Sequence, residues 1–591
     1  MSHTTMHLPI RRNEKNWRFH RKRVLLTTIF SLVLCVYARS NPFPSYPKFE
    51  ISFPASMHQQ PITGRMFVIV SRKSEPEPRL QVDWVDCPPV FAVDVDQLKP
   101  GEIAVIDAGT LGYPLRSIKE LPNGDYYVQA LLNVYTEFHR ADGHVVWAHM
   151  DQWEGQQFNR SPGNFFSQPE KLHFDPSQRK NVKLSLVKVI PPVEVPADTA
   201  WVKHLKIQSK LLTQFWGHPI YLGAVVLLPK GYASHPDVSY PVVYYQDHFN
   251  LDAPFNFTLE KATESDVVHR ARQNRGLETG YEFYESWNSD HFPRMIVVTF
   301  LHPTPYFDDS YAVNSANNGP YGDALMTELI PYIEQYFRII PRPYARVLTG
   351  GSTGGWESLA LQLFYPEFFG GTWTCCPDPV DFRRYDLVNI YTDENAFTAP
   401  STITASMPLG FDWLSPERYF QRRADGQPEV SVRQLSHFES VLGSKGRSGK
   451  QLEIWEAVYG PVGDDGYPKP LWDKLTGRIN HDIAKYMRDH GYDLRYYAET
   501  NWPKIGPKLV RKLNFFCGDM DDFYLNLGVY LLEDFLKNTT DPYYDGSFEY
   551  GRPLKPHGWQ PMTNADLLKA MADHITKNAP ADQDVTTWKY N

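Results

Sequence analysis

The hydrophobic and polar positions follow two different patterns along the chain. From about residue 49 to 190, short apolar or alternating runs are separated by turn signals such as Lys99-Pro100-Gly101 and Pro122-Asn123-Gly124-Asp125. This pattern is typical of β-strands in a sandwich. It predicts an all-β, sandwich-like domain over residues 45–195, which ends in a proline-rich linker at 191–196. The predicted strands cover residues 49–53, 66–71, 91–95, 126–135 and 182–189.

After residue 200 the short apolar runs alternate with segments of helical period. Residues 324–337 carry apolar side chains at helical spacing, and 356–364 and 564–575 are further helix candidates. Alternating strands and helices predict an α/β domain over 200–591 with a mostly parallel sheet covered on both faces. Residues from about 383 to 508 interrupt this alternation of strands and helices, which indicates a cap region inserted between two strands. The predicted strands cover residues 223–228, 242–245, 295–300, 346–349 and 513–517.

The charge of the chain bears on whether it binds nucleic acid. The formal net charge is -8, and no basic arm or stripe occurs beyond the first two dozen residues. We therefore expect no nucleic-acid partner. The sequence does not indicate an oligomeric state.

The N-terminus has the features of an export signal. Seven basic residues between Arg11 and Arg23 precede an apolar run at 24–38, which is short for a membrane span. The pattern predicts a signal peptide over residues 1–38, and hence a periplasmic or secreted protein with no stable membrane span after cleavage. An uncleaved signal anchor is the alternative.

Four cysteines remain after that cleavage, namely Cys87, Cys375, Cys376 and Cys517. Four in so long a chain do not form a disulfide scaffold, and the vicinal pair lacks metal-site spacing. A bridge between Cys517 and the vicinal pair and a set of buried free thiols both stay open.

The most specific motif is Gly350-Gly351-Ser352-Thr353-Gly354. It matches G-x-S-x-G between a β-branched run and a helical segment, which is the context of a nucleophile elbow. A serine on such a tight turn needs small neighbours, and the amide of Thr353 would point at a developing oxyanion. We therefore predict that Ser352 is a nucleophile.

A serine nucleophile requires a base, and the base requires an orienting acid. Asp519, Asp521 and Asp522 directly follow the apolar run at 513–517, and His557 precedes the last predicted helix. The order serine, acid, histidine is that of α/β-hydrolases. His248 and His302, which end earlier strands, are rival bases.

With these motifs the chain resembles the putative-esterase family of the α/β-hydrolases, which includes esterase D, feruloyl, acetyl-xylan and enterochelin esterases and mycolyltransferases. The resemblance covers about residues 215–580. It implies Ser352 as nucleophile, His557 as general base and an acid from the 519–522 cluster, with no metal or organic cofactor. Asp521 is the first choice for the acid, followed by Asp522 and then Asp519. The matching segments are Tyr240-Pro-Val-Val-Tyr-Tyr245, Glu328-Leu-Ile-Pro-Tyr-Ile-Glu334, Gly350–Gly355, Tyr365-Pro-Glu-Phe-Phe369 and His557-Gly-Trp559.

The chain departs from the family at the second oxyanion donor. Family members often carry His-Gly after the strand that ends here at Tyr245, whereas this chain has Gln246-Asp247-His248-Phe249. A backbone amide of Asp247 or His248 could replace that donor.

The loop at 307–321 is rich in hydrogen-bonding side chains and follows a predicted strand. Asp308, Asn314 and Asn317 are candidates for binding a polar substrate, and Trp356 is a fourth. The alternatives are a solvated loop and, for Trp356, helix–sheet packing.

Together these features predict a serine carboxylic-ester hydrolase that acts through an acyl-enzyme on an acylated carbohydrate or another polar, small-molecule ester. An acyltransferase that uses the same triad and a catalytically inactive exported binding protein are the alternatives.

Overall fold

The structure is a computed structural model that describes residues 47–178, 181–261, 263–400 and 416–590. The predicted export signal at 1–38 lies outside the described residues. Within the described ranges, no helix combines the length and the apolar character needed to cross a membrane.

The first part of the chain consists of strands arranged in two main sheets. The smaller sheet has the order β11-β1-β4, and the larger has the order β12-β9-β6-β2-β3-β5, with β10 also paired to β6. The strands are β1 (Phe49–Ser52), β2 (Ile62–Ser71), β3 (Val90–Leu98), β4 (Ala104–Ile106), β5 (Gly112–Tyr113), β6 (Gly124–Val134), β7 (Thr136–His139), β8 (Val145–Ala148), β9 (Phe165–Phe166), β10 (Glu170–Phe174), β11 (Val182–Ser185) and β12 (Lys188–Val189).

Strand β2 is buried on both faces because it separates two cores. Met66 and Val68 pack in a cluster with Phe49 of the smaller sheet. The alternate residues Phe67 and Ile69 belong to the large core that continues through the rest of the chain. Since successive side chains of a strand point to opposite faces, the larger sheet is covered by the smaller sheet on one side and by the second part of the chain on the other.

The second part of the chain is built on one eight-stranded sheet with the order β13-β14-β16-β15-β19-β20-β23-β24. β13, β14 and β16 pair antiparallel, and the strands from β16 to β24 in this order run parallel. The remaining strands are β13 (Val202–Ser209), β14 (Ile220–Leu227), β15 (Val242–Gln246), β16 (Ile296–Leu301), β17 (Asn314–Ser315), β18 (Gly319–Pro320), β19 (Arg346–Gly351), β20 (Gly371–Cys375), β21 (Tyr419–Arg422), β22 (Pro428–Ser431), β23 (Leu513–Gly518) and β24 (Ser547–Gly551).

Helices connect and cover these strands, which gives the chain an α/β fold. The carboxyl ends of the parallel strands meet at one sheet edge, where ligands bind in folds of this kind. The helices are α1 (Lys210–Trp216), α2 (Asp266–Asn274), α3 (Gly280–Trp287), α4 (Tyr321–Ala324), α5 (Ile330–Tyr336), α6 (Thr353–Phe364), α7 (Val432–Leu442), α8 (Gln451–Tyr459), α9 (His481–Asp489), α10 (Leu494–Leu509), α11 (Asn526–Lys537) and α12 (Asn564–Asn578).

The predicted helix at 324–337 is interrupted in the structure. A π-helical turn at Leu325–Leu329 separates α4 from α5, and Pro331 lies at the start of α5. Proline has no N–H to donate, so the regular helical hydrogen-bond ladder cannot pass through this position.

The neighbouring strands β20 and β23 are separated in sequence by residues 376–512, which contain the β21–β22 hairpin and helices α7 to α10. This segment contacts the N-terminal strands directly. The buried Arg65 of β2 donates from Nε to the carbonyl of Val441 at 3.0 Å, and Tyr113 packs on Phe438. The N-terminal strands therefore lie against the segment that covers the edge of the central sheet.

Candidate active site

Ser352 occupies a strained turn between β19 and α6. Its backbone has φ 56° and ψ −124°, a conformation that residues with a Cβ rarely adopt. A Cβ at Gly350 would overlap the carbonyl of Gly354, and one at Gly354 would overlap the carbonyl of Gln246. The glycines of the motif are therefore required by the close approach of β19, α6 and the end of β15.

We expect Gly354→Ala to destabilise the protein by about 1–3 kcal/mol, because the new methyl group forces the helix away from β15. Thermal unfolding followed by circular dichroism measures the change. Gly351→Ala is the matched control, since its nearest neighbour would be the Cβ of Cys375 at 3.8 Å, an ordinary contact. Equal unfolding temperatures for the two variants would contradict this account of the motif.

The structure pairs His557 with Asp521 and not with the other two acids of the cluster. His557 Nδ1 lies 2.8 Å from Asp521 Oδ2, and the Asp521 side chain is completely buried. Its other oxygen accepts the backbone N–H groups of Phe523 at 3.0 Å and Leu525 at 3.2 Å. These bonds hold the carboxylate so that Oδ2 faces the imidazole.

Asp519 and Asp522 form hydrogen bonds with the backbone of neighbouring segments instead. Asp519 Oδ1 accepts a hydrogen bond from the backbone N–H of Lys555 at 2.8 Å. The backbone carbonyl of Asp522 accepts one from the backbone N–H of Arg422 at 2.8 Å. Among the described contacts, neither carboxylate has a hydrogen bond to the His557 imidazole, although the Asp522 carboxylate accepts the backbone N–H of His557.

The local environment determines the basicity of His557. Burial disfavours the imidazolium, whereas the Cys376 sulfur and the Asp521 carboxylate favour it, and the balance raises the pKa of His557 above 6.5. Burial also raises the pKa of the Cys376 thiol, which is therefore neutral. Asp521 is thus the group that stabilises a proton on His557.

Ser352 and His557 line the same cavity, which has a volume of about 240 Å³. In the described structure no hydrogen bond joins them; the Ser352 hydroxyl donates to Asp378 Oδ1 at 3.3 Å. Hydrogen bonds between catalytic groups often tighten only when substrate binds. Proton transfer to His557 requires the hydroxyl to turn away from Asp378.

Asp378 is a site residue that the sequence did not indicate. Its Oδ2 accepts Tyr311 Oη at 2.6 Å, Gln451 Nε2 at 2.9 Å, Thr353 Oγ1 at 3.0 Å and Trp455 Nε1 at 3.2 Å. Its position three residues after β20, at the carboxyl edge of the sheet, is the one signal that could have identified it. Gln451 and Trp455 come from helix α8, far away in sequence.

Aromatic side chains from three distant parts of the chain form much of the cavity wall. Trp84 comes from the N-terminal part, Phe420 and Trp455 from the segment between β20 and β23, and Phe523 from the loop after β23. The Trp84 indole donates to Gln421 Oε1 at 2.9 Å, which fixes the ring beside Phe420. The N-terminal part of the chain thus contributes directly to this cavity, through the loop between β2 and β3.

Of the candidate substrate-binding residues, none lines this cavity. Asn317 is buried and donates to the carbonyls of Ala457 and Gly460, and Asn314 accepts the backbone N–H of Asp323. Trp356 is fully buried against Tyr459. Asp308 lies 3.2 Å from His248 Nδ1, beside the cavity.

The backbone N–H groups that are candidate oxyanion donors differ in their hydrogen bonding. Thr353 is the first residue of α6, where an N–H group has no partner within the helix. The His248 N–H donates to the Asp247 carboxylate at 2.9 Å, and that carboxylate also accepts Tyr245 Oη.

The rival bases lie in other environments. Burial lowers the pKa of His302 to about 4, and its Nδ1 pairs with Ser310. His248 lines the cavity but is paired with Asp308 and Asp309.

The described cysteines Cys87, Cys375, Cys376 and Cys517 are all free thiols. The vicinal sulfurs are 3.5 Å apart, and Cys376 Sγ accepts the N–H of Gly558 at 3.2 Å. The bridge between Cys517 and the vicinal pair is therefore not formed in the structure.

Comparison with known proteins links this site to one family. Residues 221–377, which include the Ser352 turn, match the family described as putative esterase. The chain has no match among curated protein sequences.

Solved esterase structures resemble the chain only distantly. A ferulic acid esterase is 14% identical, with 66% of this chain and 99% of that chain covered and a TM-score of 0.30. An S-formylglutathione hydrolase from Agrobacterium tumefaciens is 15% identical, with 64% and 96% covered and a TM-score of 0.29. The siderophore hydrolase EstB from Aspergillus nidulans is 10% identical, with 66% and 99% covered and a TM-score of 0.30.

The link to this family is the match at 221–377, together with the motifs of that segment. The segment at 221–377, which contains the Ser352 turn, is therefore similar to the putative esterase family.

Proposed function

We propose that this esterase hydrolyses carboxylic esters through an acyl-enzyme formed on Ser352, with His557 as general base and Asp521 as the orienting acid. The observation that carries the proposal is the Asp521–His557 pair at 2.8 Å, which shares one cavity with a serine on a strained strand–helix turn. The proposed framework is an α/β-hydrolase fold with a cap at about 383–508, preceded by the sandwich-like domain at 45–195. We also propose that the protein is exported.

In the proposed mechanism, the Ser352 hydroxyl attacks the ester carbonyl while His557 Nε2 takes its proton. The Thr353 N–H at the helix terminus stabilises the oxyanion, and Asp247 is the proposed second backbone donor. The tetrahedral intermediate collapses, the alcohol leaves with the proton from His557, and an acyl-Ser352 ester remains. Water then attacks this ester by the same steps, which restores the hydroxyl and releases the acid.

The aromatic wall suits an apolar or aromatic acyl group, since such side chains bind apolar groups by contact and edge-to-face packing. A carbohydrate or another polar alcohol would then extend toward solvent. An acyltransferase with the same triad would pass the acyl group to an alcohol, and product analysis with an added alcohol acceptor separates the two reactions.

Trp84→Ala is expected to raise KM about tenfold with a smaller effect on kcat, because an aromatic contact to the acyl group is worth about 1–2 kcal/mol. Steady-state kinetics with an aryl ester measures this change. Trp84→Phe is the conservative control and should keep most of the affinity. If Trp84→Ala leaves KM unchanged while its thermal stability matches the wild type, the acyl group does not contact this wall.

The pH profile should show an acid limb above pH 6.5. His557 must be neutral to accept a proton, and its raised pKa keeps the inactive imidazolium present to higher pH. Activity therefore rises with pH through the His557 pKa. Measurement of kcat/KM from about pH 5 to 9 locates the limb, which should move to lower pH in Asp521→Asn. A profile without an acid limb, or a limb that Asp521→Asn leaves unmoved, would contradict His557 as the base.

Labelling with a fluorophosphonate probe, read out by intact mass, tests the proposal directly. A single adduct on the wild type that is absent in Ser352→Ala would support an activated Ser352. Absence of an adduct on folded wild-type protein would favour an inactive exported binding protein instead.

A further inference from the structure

A second group of ionisable side chains lies beside the catalytic cavity. His248 follows β15 and lines the cavity, and Asp308 and Asp309 follow β16. Glu357 reaches the same place from helix α6. The proposed esterase mechanism uses none of these four side chains.

The donor atoms of the first three residues have the spacing of metal ligands. His248 Nδ1 is 3.2 Å from Asp308 Oδ1 and 3.4 Å from Asp309 Oδ2. The three atoms all lie within 4.8 Å of one another. Bonds of about 2.0–2.1 Å in a tetrahedral zinc site place neighbouring donors about 3.3 Å apart, so an ion could bind with little movement.

Glu357 provides an independent indication of a cation site. Its side chain is completely buried, and no N–H or O–H group of the described residues donates to either carboxylate oxygen, which leaves the carboxyl group of Asp309 as its polar neighbour. The carboxyl group faces Asp309 and lies 3.9 Å from His302 Nε2. A buried carboxylate without hydrogen-bond donors is unfavourable unless it meets a cation or takes up a proton.

The carboxylates of this group outnumber the cationic side chains beside them. Asp309 is also buried, and among the described residues its Oδ2 has only the long contact of 3.4 Å to His248 Nδ1. Among the described residues, Lys450 and the imidazole of His248 are the cationic groups that interact with Asp308, so three carboxylates face two cations. Burial raises the pKa of Glu357, so a proton shared by Glu357 and Asp309 is the competing explanation.

We propose that His248 Nδ1, Asp308 and Asp309 bind a divalent transition-metal ion, with Glu357 as the fourth ligand or as the acid beside it. One imidazole with carboxylates suits Zn²⁺ best among the common ions, whereas Ca²⁺ prefers oxygen donors alone. The ion would fix the loop at 247–249, which carries the proposed second oxyanion donor. It would stabilise the site without entering the ester chemistry.

Zinc titration of the chelator-treated full-length protein, followed by calorimetry, tests the proposal. We expect one equivalent of Zn²⁺ to bind to the wild type and at least 100-fold weaker binding to Asp309→Asn. His248→Ala removes a ligand at a half-exposed side chain and serves as the second variant if Asp309→Asn does not fold.

The control must exclude the triad itself, because Cys376, Asp521 and His557 also bring three donor atoms together. His557→Ala should therefore bind Zn²⁺ like the wild type. Co²⁺ provides a second readout, since a cobalt–thiolate absorption band would place the ion at Cys376. That band, loss of binding in His557→Ala alone, equal binding by Asp309→Asn and His248→Ala, or no binding by the wild type would each overturn the proposal.

Discussion

Ser352→Ala is expected to lower kcat for ester hydrolysis by about 10⁴–10⁶-fold, because removal of the nucleophile leaves only substrate binding and the oxyanion donors. The strained backbone at 352 is set by the strand, the helix and the neighbouring glycines, so alanine can occupy the same turn. Active-site titration and steady-state kinetics with a chromogenic ester measure the loss.

Ser358→Ala is the matched control for this variant. Ser358 lies on the same helix and is buried, and its hydroxyl donates to the carbonyl of Gly355 and not into the cavity. We expect this variant to keep most of the activity. A Ser352→Ala protein with more than about a tenth of the wild-type kcat would show that another group is the nucleophile.

Local chemistry explains why the serine turn could be predicted from the sequence. The residues that must be small lie within five consecutive positions, although the contact that excludes a side chain at Gly354 comes from Gln246 at the end of β15. The strand before the turn and the helix after it carry their own hydrophobic patterns. The strand before the motif and the helix after it were predictable for the same reason, whereas β20 was not among the predicted strands.

The cavity wall could not be predicted in this way, because its residues meet only in the folded chain. Trp84 and Gln421 are 337 positions apart, and Tyr311 and Gln451 both reach Asp378 from remote elements. Nothing in the local pattern around Trp84 distinguishes a cavity residue from an ordinary surface tryptophan.

The polar loop at 307–321 shows a second limit of prediction from the sequence. Its asparagines indicated a substrate-binding surface, but Asn317 turns inward and donates to the end of helix α8. A buried amide that satisfies backbone carbonyls and an exposed amide that binds a sugar have the same sequence signature. Only the packing of α8 against this loop separates the two roles.

The choice among three neighbouring acids is the sharpest test of the proposed mechanism. Asp521→Asn is expected to lower kcat about 10⁴-fold while the fold is kept. Asparagine can retain the two backbone N–H bonds through its carbonyl oxygen, which leaves its amide facing His557 Nδ1. An amide donor there forces the imidazole proton onto Nε2, so the ring can no longer accept the proton of Ser352.

Asp519→Asn and Asp522→Asn are the matched controls, because each removes one charge from the same loop without touching the Asp521–His557 bond. We expect both to retain kcat within about tenfold, with Asp519→Asn losing some stability as the bond to the Lys555 N–H weakens. Kinetics and thermal unfolding of the three variants under one condition provide the comparison. If Asp522→Asn were as damaged as Asp521→Asn, the orienting acid would have to be reassigned, because two independent carboxylates cannot both hold the single Nδ1 proton of His557.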